Sequence, residues 1–430
     1  MRSSIFSFLW LASEKLVRIF TGVFVGLWLA RYLGPEQYGV YMYALAWVGL
    51  FNALAWFGVG ENVIRNLVKH PDSEHELLGS AFMIRLIGSL AAGVLALLSL
   101  LLLRAPDPTL TLLVLFCALA IPFAETPAGI FLYFQSRLQI AKPVLLQNIV
   151  RIAAAAVRIA FITGKLSLPW FGVAVLLESV GIFLVLFGYY LAIGGRCRDW
   201  VYDWSAIRNM VWQGAPIALA ALVASLSART DQLMLGWYTG YTQVGIYGAA
   251  LRLSEIWWTF APILMNSLSP KYIFNIHGDG ELRENIAKIM AILALTSLLP
   301  VLAILALGQY AIPLLLGKQY VAALPVLHVH IFMAVLVFFD APTAQYLLAR
   351  DRQSQLVWRS AFLLTLNLLL NYLLVPRLGA LGAAIATLLS YIGTLLLFYR
   401  LAPSFRDLAT LQNRALGLMW QLLRRRGRFA

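Results

Sequence analysis

The sequence predicts an all-α integral membrane protein with about 12 transmembrane helices, arranged as two six-helix bundles that are related as parallel repeats around a central cavity. Its composition, the length of its apolar blocks and an internal repeat support this prediction. Hydrophobic residues make up 61% of the chain and charged residues only 12%, whereas a soluble protein carries about 25% charged residues. No soluble fold of this size could cover so much apolar surface, because much of a soluble protein's surface must be polar.

The apolar residues occur in blocks of about 20, the length that crosses the hydrocarbon core as a helix. The alternation that is typical of membrane β-strands is not seen in them. The first block also lacks the small-residue cleavage site of a signal peptide. We predict helical spans at residues 9–30, 40–66, 77–103, 110–136, 143–163, 170–193, 211–235, 244–269, 286–307, 320–348, 356–375 and 379–401.

Basic residues are distributed unevenly among the loops that connect these spans. Loops rich in lysine and arginine favour the cytoplasmic side of a membrane. The odd-numbered loops hold few of the 33 basic residues: Arg31, Arg104, Lys165, Lys318 and Arg377. Most of the others lie at the N-terminus, in the even-numbered loops and in the tail. The sequence therefore predicts twelve spans with both termini in the cytoplasm.

The net charge of +14 is explained by this topological bias and by contact with anionic lipids. No nucleic-acid-binding motif accompanies the charge, so nucleic acid is not an expected partner.

The spans divide the chain into an N-terminal six-helix bundle (1–195), a cytoplasmic linker (196–210), a C-terminal six-helix bundle (211–401) and a basic tail (402–430). In the tail, apolar residues recur at helical spacing and basic residues follow them. This pattern predicts a helix that lies on the cytoplasmic leaflet, and a disordered basic tail is the alternative. The residues concerned are Leu408, Leu411, Ala415, Leu418, Met419 and Leu422, followed by Arg424, Arg425, Arg426 and Arg428.

The loop after the first span recurs after the seventh span. Because the two loops are six spans apart, an even number, the halves share one orientation and are predicted to be parallel repeats that rock against each other. A second repeated pattern, a tyrosine followed four residues later by an arginine, occurs at Tyr133 and Arg137 and again at Tyr346 and Arg350. The pairs that coincide in the loops are Tyr32 with Tyr238, Gly34 with Gly240, Gln37 with Gln243, Gly39 with Gly245 and Tyr41 with Tyr247.

These Tyr-x-Gly-x-x-Gln-x-Gly-x-Tyr turns, with Arg229-Thr230-Asp231-Gln232-x-x-Leu235-Gly236 before the second, resemble the polysaccharide exporter (O-antigen flippase) family of the multidrug/oligosaccharidyl-lipid/polysaccharide (MOP) superfamily. The resemblance covers the whole chain and implies two six-helix bundles around a central cavity. It implies that the protein moves a polyprenyl-diphosphate-linked oligosaccharide from the inner to the outer leaflet of the bacterial inner membrane. The product would be an O-antigen, exopolysaccharide or capsule, with a polysaccharide polymerase and a chain-length regulator as candidate partners besides membrane lipids.

Ionisable groups inside membrane spans are costly, so each is a candidate for function. The excess within the spans is cationic, which suits a diphosphate because guanidinium groups offer paired donors to phosphate oxygens. The resemblance points first to Arg18 and Arg252, since family members place basic residues toward the cavity on the first and eighth spans. The further candidates for binding the substrate in the cavity are Lys15, Arg65, Arg151 and Arg158.

Each candidate also has a structural interpretation. Arg18 can pair with Glu14, and Arg252 with Glu255, at helical spacing. Arg65 and Arg85 lie near the cytoplasmic face, from which their side chains can reach lipid headgroups.

Three acidic residues within spans, Asp231, Asp340 and Glu178, are candidates for coupling transport to protons or sodium ions. For Asp231 a structural role, such as pairing with Arg229, is the alternative. No Walker motif, metal site or catalytic arrangement is recognisable. We therefore expect a transporter without a cofactor, and not an enzyme.

Three other functions make different demands on the sequence. A multidrug antiporter of the same superfamily would have an acidic or apolar cavity, whereas the excess here is basic. A membrane enzyme of polysaccharide assembly would carry a long outward loop with catalytic residues, and the outward loops here are short. A flippase for a peptidoglycan precursor would usually have two additional helices.

Overall fold

The computed structural model describes residues 2–69, 71–103, 107–276, 278–352 and 354–426. Arg104 and Arg428, which the sequence analysis used, lie outside the described residues, as do the predicted domain ends at 1 and 427–430. No described residue lies in a β-strand, so the all-α prediction is confirmed. The helices are α1 (Arg2–Gly49), α2 (Asn52–Trp56), α3 (Glu61–Lys69), α4 (Glu74–Leu103), α5 (Pro108–Ser136), α6 (Ala141–Thr163), α7 (Pro169–Ala192), α8 (Trp204–Tyr238), α9 (Tyr241–Trp258), α10 (Phe260–Ser269), α11 (Asp279–Leu315), α12 (Ala323–His330), α13 (Met333–Ala349), α14 (Gln355–Gly393), α15 (Tyr399–Leu401) and α16 (Arg406–Arg426).

Every predicted span lies on one or more of these helices, and the protein is an integral membrane protein with multiple spans. Helix α1 contains the first span and the start of the second, with a non-helical residue at Gly34 (φ 75°, ψ 169°). Helix α14 contains most of the last two, with a break at Gly379 (φ 55°, ψ −133°). Among the described residues, eight helices are long and apolar enough to cross a membrane, or nine when the two arms of α8, bent by 48°, form one span. Twelve crossings remain a prediction.

Contacts divide the chain into two compact units. The first unit comprises Met1–Leu33 and Val40–Arg229, and the second comprises Gly34–Gly39 and Thr230–Ala430. The division falls inside α8, whereas the sequence placed it in the segment 196–210. The arm of α8 that precedes Thr230 packs with the first unit, because Ser225 Oγ donates a hydrogen bond to the Gly49 carbonyl (2.8 Å).

Several helices begin at residues that satisfy their free amide groups. Asp107 accepts a hydrogen bond from the Thr109 amide (3.1 Å), and Pro108 follows in the first turn of α5. Asp203 accepts hydrogen bonds from the first amides of α8 in the same way. Side-chain acceptors at these positions stabilise a helix by about 1 kcal/mol each, so the boundaries of α5 and α8 follow from local sequence.

The second predicted span is not a continuous helix. Helix α2 ends at Trp56, the next residue Phe57 has a left-handed conformation, and residues 57–60 separate α2 from α3. Inside a membrane, unwound backbone persists only where its polar groups find partners. Arg85 of α4 supplies one partner by donating from Nη2 to the Val59 carbonyl (2.7 Å).

The repeated glycines Gly39 and Gly245 lie against each other in the second unit. A Cβ atom on Gly39 would overlap the carbonyl group of Tyr241, and one on Gly245 would overlap that of Pro35. The arrangement is reciprocal, because Pro35 and Tyr241 each precede a glycine by four residues. The two backbones therefore cross in direct contact, which only glycine permits.

The second repeated pattern forms the same arrangement in each unit. In the first unit, Arg137 lies 4.5 Å from the centre of the Tyr133 ring and pairs with Glu74, in the first turn of α4. In the second, Arg350 lies 5.3 Å from the Tyr346 ring and pairs with Asp279, in the first turn of α11. The repeated sequence pattern thus corresponds to the same three-dimensional motif in each unit.

The tail forms α16. The sequence predicted that its apolar residues lie on the membrane, but three of them are buried in protein. Leu408, Leu411 and Ala415 are buried in the core of the second unit. They pack with Ile286 and Met290 of α11. The apolar face that was expected to lie on the leaflet is therefore covered by protein, because α11 offers a complementary apolar face.

Candidate functional site

Several of the predicted cationic residues meet in the first unit, on three membrane helices. We call this group the basic cluster. Helix α1 contributes Glu14 and Arg18, helix α6 contributes Gln147, Arg151 and Arg158, and helix α7 contributes Glu178. Lys15 is exposed on α1, next to Glu14 in the chain.

Glu14 joins the two helices that carry the cluster's central arginines. Its Oε1 atom lies 2.7 Å from Nη2 of Arg18 and 3.1 Å from Nη2 of Arg151. Gln147, one turn before Arg151, accepts a further hydrogen bond from the same guanidinium group (3.2 Å). The predicted pairing of Glu14 and Arg18 therefore exists, but the carboxylate is shared with Arg151.

A second ion pair extends the cluster along α6. Arg158 Nη2 lies 2.6 Å from Oε2 of Glu178, so one of the proposed ion-coupling residues is paired with one of the proposed substrate-binding residues. Arg151 and Arg158 are separated by seven residues, or two helical turns, and so lie on one side of α6.

The two central arginines differ in their exposure. The Arg151 side chain is 8% exposed and that of Arg18 is 66% exposed. The first apolar helix long enough to cross a membrane begins at Ser13, so Arg18 lies little more than one turn inside it. At such a position a long cationic side chain can extend to water or headgroups, and here it also pairs with Glu14.

The cluster carries an excess of positive charge. Three arginines share two carboxylates, those of Glu14 and Glu178. Nη1 of the buried Arg151 has no hydrogen-bond partner among the described atoms. This donor is enclosed by protein, whereas the exposed guanidinium group of Arg18 is open to an anion with oxygen acceptors.

The remaining two candidates lie elsewhere. Arg65 is exposed on α3, outside the cluster. Arg252 is half-buried on α9 in the second unit.

The other two proposed ion-coupling residues are buried in the second unit in different surroundings. Asp340 pairs with Arg359 and accepts a hydrogen bond from the Tyr399 hydroxyl (3.2 Å). Its charge is thus balanced by a guanidinium group.

Asp231 accepts hydrogen bonds from three neutral groups. The donors are the Tyr247 hydroxyl (2.6 Å), the Thr387 hydroxyl (2.5 Å) and the Asn371 side-chain amide (2.7 Å). Sequence reasoning missed these three residues. Asn371 follows Asn367 by one helical turn in an otherwise apolar span, and this polar stripe was the available signal.

The chain matches one family profile and is similar in sequence to two characterised proteins. A profile of the family described as "Polysaccharide biosynthesis protein" matches residues 7–276. The lipopolysaccharide biosynthesis protein WzxC of Escherichia coli (strain K12) is 22% identical over 91% of this chain and 79% of its own length. The teichuronic acid biosynthesis protein TuaB of Bacillus subtilis (strain 168) is 26% identical over 39% of this chain, and the match spans 35% of that protein's length.

Solved structures of transporters share the fold. An inward-facing multidrug resistance MATE family transporter of the MOP superfamily has a TM-score of 0.69 and 16% identity, covering 95% of this chain and 99% of that one. The lipid II flippase MurJ, in an inward closed conformation, has a TM-score of 0.68 and 14% identity, covering 97% and 92%. At these identities the likeness shows the fold alone, and it does not separate a drug transporter from a lipid flippase.

Proposed function

Because the chain belongs to the polysaccharide biosynthesis protein family, we propose that it is a flippase for a polyprenyl-diphosphate-linked oligosaccharide in the bacterial inner membrane. It moves this glycolipid from the inner to the outer leaflet by alternating access between two six-helix bundles, with both termini in the cytoplasm. The exported unit serves O-antigen, exopolysaccharide or capsule biosynthesis, where a polymerase and a chain-length regulator receive it. Membrane lipids surround the prenyl tail throughout.

The observation that carries this proposal is the basic cluster. A diphosphate diester is an anion, and the three arginines of the cluster outnumber its two carboxylates. Arginine binds phosphate oxygens with paired, charge-assisted hydrogen bonds. Arg18 is exposed, while Arg151 and Arg158 are held by Glu14 and Glu178. Lys15, which is also exposed on α1, is a further proposed contact. Arg65 and Arg252 remain proposed contacts of the same anionic head at other stages.

The test is translocation by the full chain in proteoliposomes that contain a fluorescent polyprenyl-diphosphate-linked disaccharide, with a membrane-impermeant quencher to report its leaflet. We expect Arg18→Gln to slow translocation by about tenfold or more, because a hydrogen bond to a charged group contributes about 1.5–3 kcal/mol. Arg198→Gln is the matched control, since Arg198 is an exposed arginine in the turn Cys197–Asp199.

Two outcomes would remove the proposal. Translocation at the wild-type rate by both Arg18→Gln and Arg151→Gln would show that the cluster does not handle the substrate. Transport of a lipophilic cation such as ethidium, without transport of the glycolipid, would favour the multidrug antiporter, although a basic cluster repels cations.

Asp231 is the proposed coupling site among the three acidic candidates. Asp340 and Glu178 are balanced by arginines, whereas the hydrogen-bond donors to Asp231 are neutral. A buried carboxylate surrounded by hydroxyl and amide groups can take up a proton or a sodium ion at low cost, because the ion neutralises its charge.

We expect Asp231→Asn to translocate substrate at a rate that no longer responds to an imposed sodium or proton gradient. The wild-type chain should respond to one of these gradients, and Asp199→Asn, at an exposed position, should behave like the wild type. A full gradient response by Asp231→Asn would exclude this carboxylate from coupling.

A further inference from the structure

The tail helix α16 is held against the second unit by one side. Besides its buried leucines, two ion pairs attach it: Asp407 pairs with Arg352 (2.5 Å), and Arg414 pairs with Glu284 of α11. These contacts set the rotation of α16 about its own axis. The structure therefore determines which residues of the helix remain on its outer side.

The outer side carries an aromatic residue between basic residues. Leu416 and Trp420 are one turn apart and are 46% and 58% exposed. The Arg424 guanidinium lies 4.8 Å from the centre of the Trp420 ring. Arg406 is also exposed, and it precedes Arg424 by 18 residues, five full turns, which brings it to the same side.

Among the residues that the structure describes, no ion pair joins a carboxylate to Arg406 or Arg424. Asp407 is the single acidic residue between Arg406 and Arg426, and it is engaged by Arg352 on the docking side. Arg400 adds a further cation at this end, since its Nη2 donates to Oδ1 of Asn413 (2.8 Å).

The last apolar span, which precedes α16 by four residues, ends at exposed leucines. The last membrane span ends at Leu401, which is 74% exposed, and Leu397 one turn earlier is 55% exposed. Tryptophan is enriched at the boundary between hydrocarbon and headgroups, and arginines near it bind anionic headgroups. The chain therefore brings α16 to the membrane surface at the depth where both residue types are favoured.

We propose that the outer side of α16, formed by Arg406, Leu416, Trp420 and Arg424, binds anionic phospholipid headgroups of the adjacent leaflet. The same helix contacts protein with one side and lipid with the other.

The experiment measures lipid binding to the full chain in detergent by native mass spectrometry, with phosphatidylglycerol and phosphatidylcholine as probes. We expect Arg406→Gln with Arg424→Gln to weaken phosphatidylglycerol binding by about fivefold for each arginine lost, without changing phosphatidylcholine binding. The control is Arg196→Gln with Arg198→Gln, which removes the same charge at exposed positions of the first unit.

Melting temperatures without added lipid, equal for variant and wild type, show that the helix is still docked. If the glutamine variant melts early, Arg406→Lys with Arg424→Lys replaces it and must retain the preference for phosphatidylglycerol. The proposal is overturned if the glutamine variant binds phosphatidylglycerol as tightly as the wild type, or if the two lipids bind equally. Displacement of phosphatidylglycerol by soluble polyglutamate at lower concentration would assign the surface to an acidic protein partner instead.

Discussion

Arg85 shows how a single side chain stabilises an irregular backbone inside the membrane. Its side chain is 3% exposed, and besides the Val59 carbonyl it contacts Oε2 of Glu125 (3.1 Å). Val59 lies in the break between α2 and α3, and Glu125 lies on α5, so Arg85 connects the break to α5. A buried guanidinium is tolerated because it is both paired and hydrogen-bonded.

We expect Arg85→Gln to lower the melting temperature of the detergent-solubilised chain by several degrees. Removing one partner of a buried ion pair costs about 3–5 kcal/mol, because the other charge is left without compensation. Lys288→Gln is the matched control, since Lys288 is 55% exposed and its pair with Glu284 within α11 contributes less than about 0.5 kcal/mol. Equal melting temperatures for the two variants would contradict this role for Arg85.

The basic cluster could be predicted from sequence only in part. The spacing of Arg151 and Arg158 places them on one side of a helix, and Glu14 with Arg18 follows the same rule. The sharing of Glu14 by Arg18 and Arg151 depends on the packing of α1 against α6, on which local spacing carries no information. The pair of Arg85 with Glu125 was missed for the same reason, because the two residues are 40 positions apart. The sequence therefore predicted that Arg85 reaches lipid headgroups.

At the scale of elements, the crossing of Gly39 and Gly245 explains why the repeated turn contains a second glycine. The first glycine of each turn, Gly34 or Gly240, has a φ of 75° or 85° and permits the turn itself. The second lies where another backbone leaves no space for a side chain. The repeat is visible in the sequence, but the contact between its two copies is not.

We expect Gly39→Ala and Gly245→Ala each to destabilise the chain by about 1–3 kcal/mol, because the added methyl group would force the two backbones apart. Thermal unfolding in detergent measures the effect. Gly188→Ala in α7 is the control, since a Cβ atom there meets no atom within 4 Å and alanine favours a helix. Unfolding of the three variants at one temperature would show that the crossing is not tight.

Helix α16 should dock in a pH-dependent way through Asp407. Burial alone would raise the pKa of Asp407, but hydrogen bonds from Arg352 and Tyr346 and the charge of Arg352 lower it overall. A lowered pKa in the folded state contributes stability above the unfolded value of about 3.9, and this contribution is lost as the pH falls through the folded pKa. The attachment of α16 is thus strongest at neutral pH and weakens in acid.

Melting temperatures of the wild type and Asp407→Asn, measured from pH 6 to pH 3, test this dependence. We expect the variant to melt earlier at pH 6 and the difference to shrink below about pH 4. Asp351→Asn, at an exposed position, should follow the wild type throughout. A difference that stays constant over the whole range would mean that Asp407 contributes by packing and not by charge.

At the scale of the whole molecule, composition and the repeated turns predicted the fold class and the family. The ionisable side chains predicted less of the contacts between helices. The resemblance to the polysaccharide exporters is confirmed by the family match and by the transporter fold. Apolar blocks predicted where helices lie, because a span must satisfy its own backbone in lipid. The break at 57–60 and the buried network of Asp231 were missed, since both depend on contacts between helices that are distant in sequence.

The count of crossings and the side on which each loop lies are open to direct measurement. Single cysteines, introduced after Cys117→Ala and Cys197→Ala, can be labelled in spheroplasts with a membrane-impermeant maleimide. Exposed positions are available in loops of both kinds: Ser167 and Lys318 in odd-numbered loops, and Arg198 and Ser354 in even-numbered loops. The bias of basic residues predicts that the odd-numbered loops face outward.

We therefore expect Ser167→Cys and Lys318→Cys to react in intact spheroplasts, and Arg198→Cys and Ser354→Cys to react only after permeabilisation. Labelling at 354 from outside would place residues 318 and 354 on the same side of the membrane. The segment between them, which α12 and α13 occupy, would then not be a single crossing. The second half would then no longer have six crossings. Without six crossings in each half, the two halves would not be parallel repeats. The rocking mechanism proposed for two such bundles would then lose its basis.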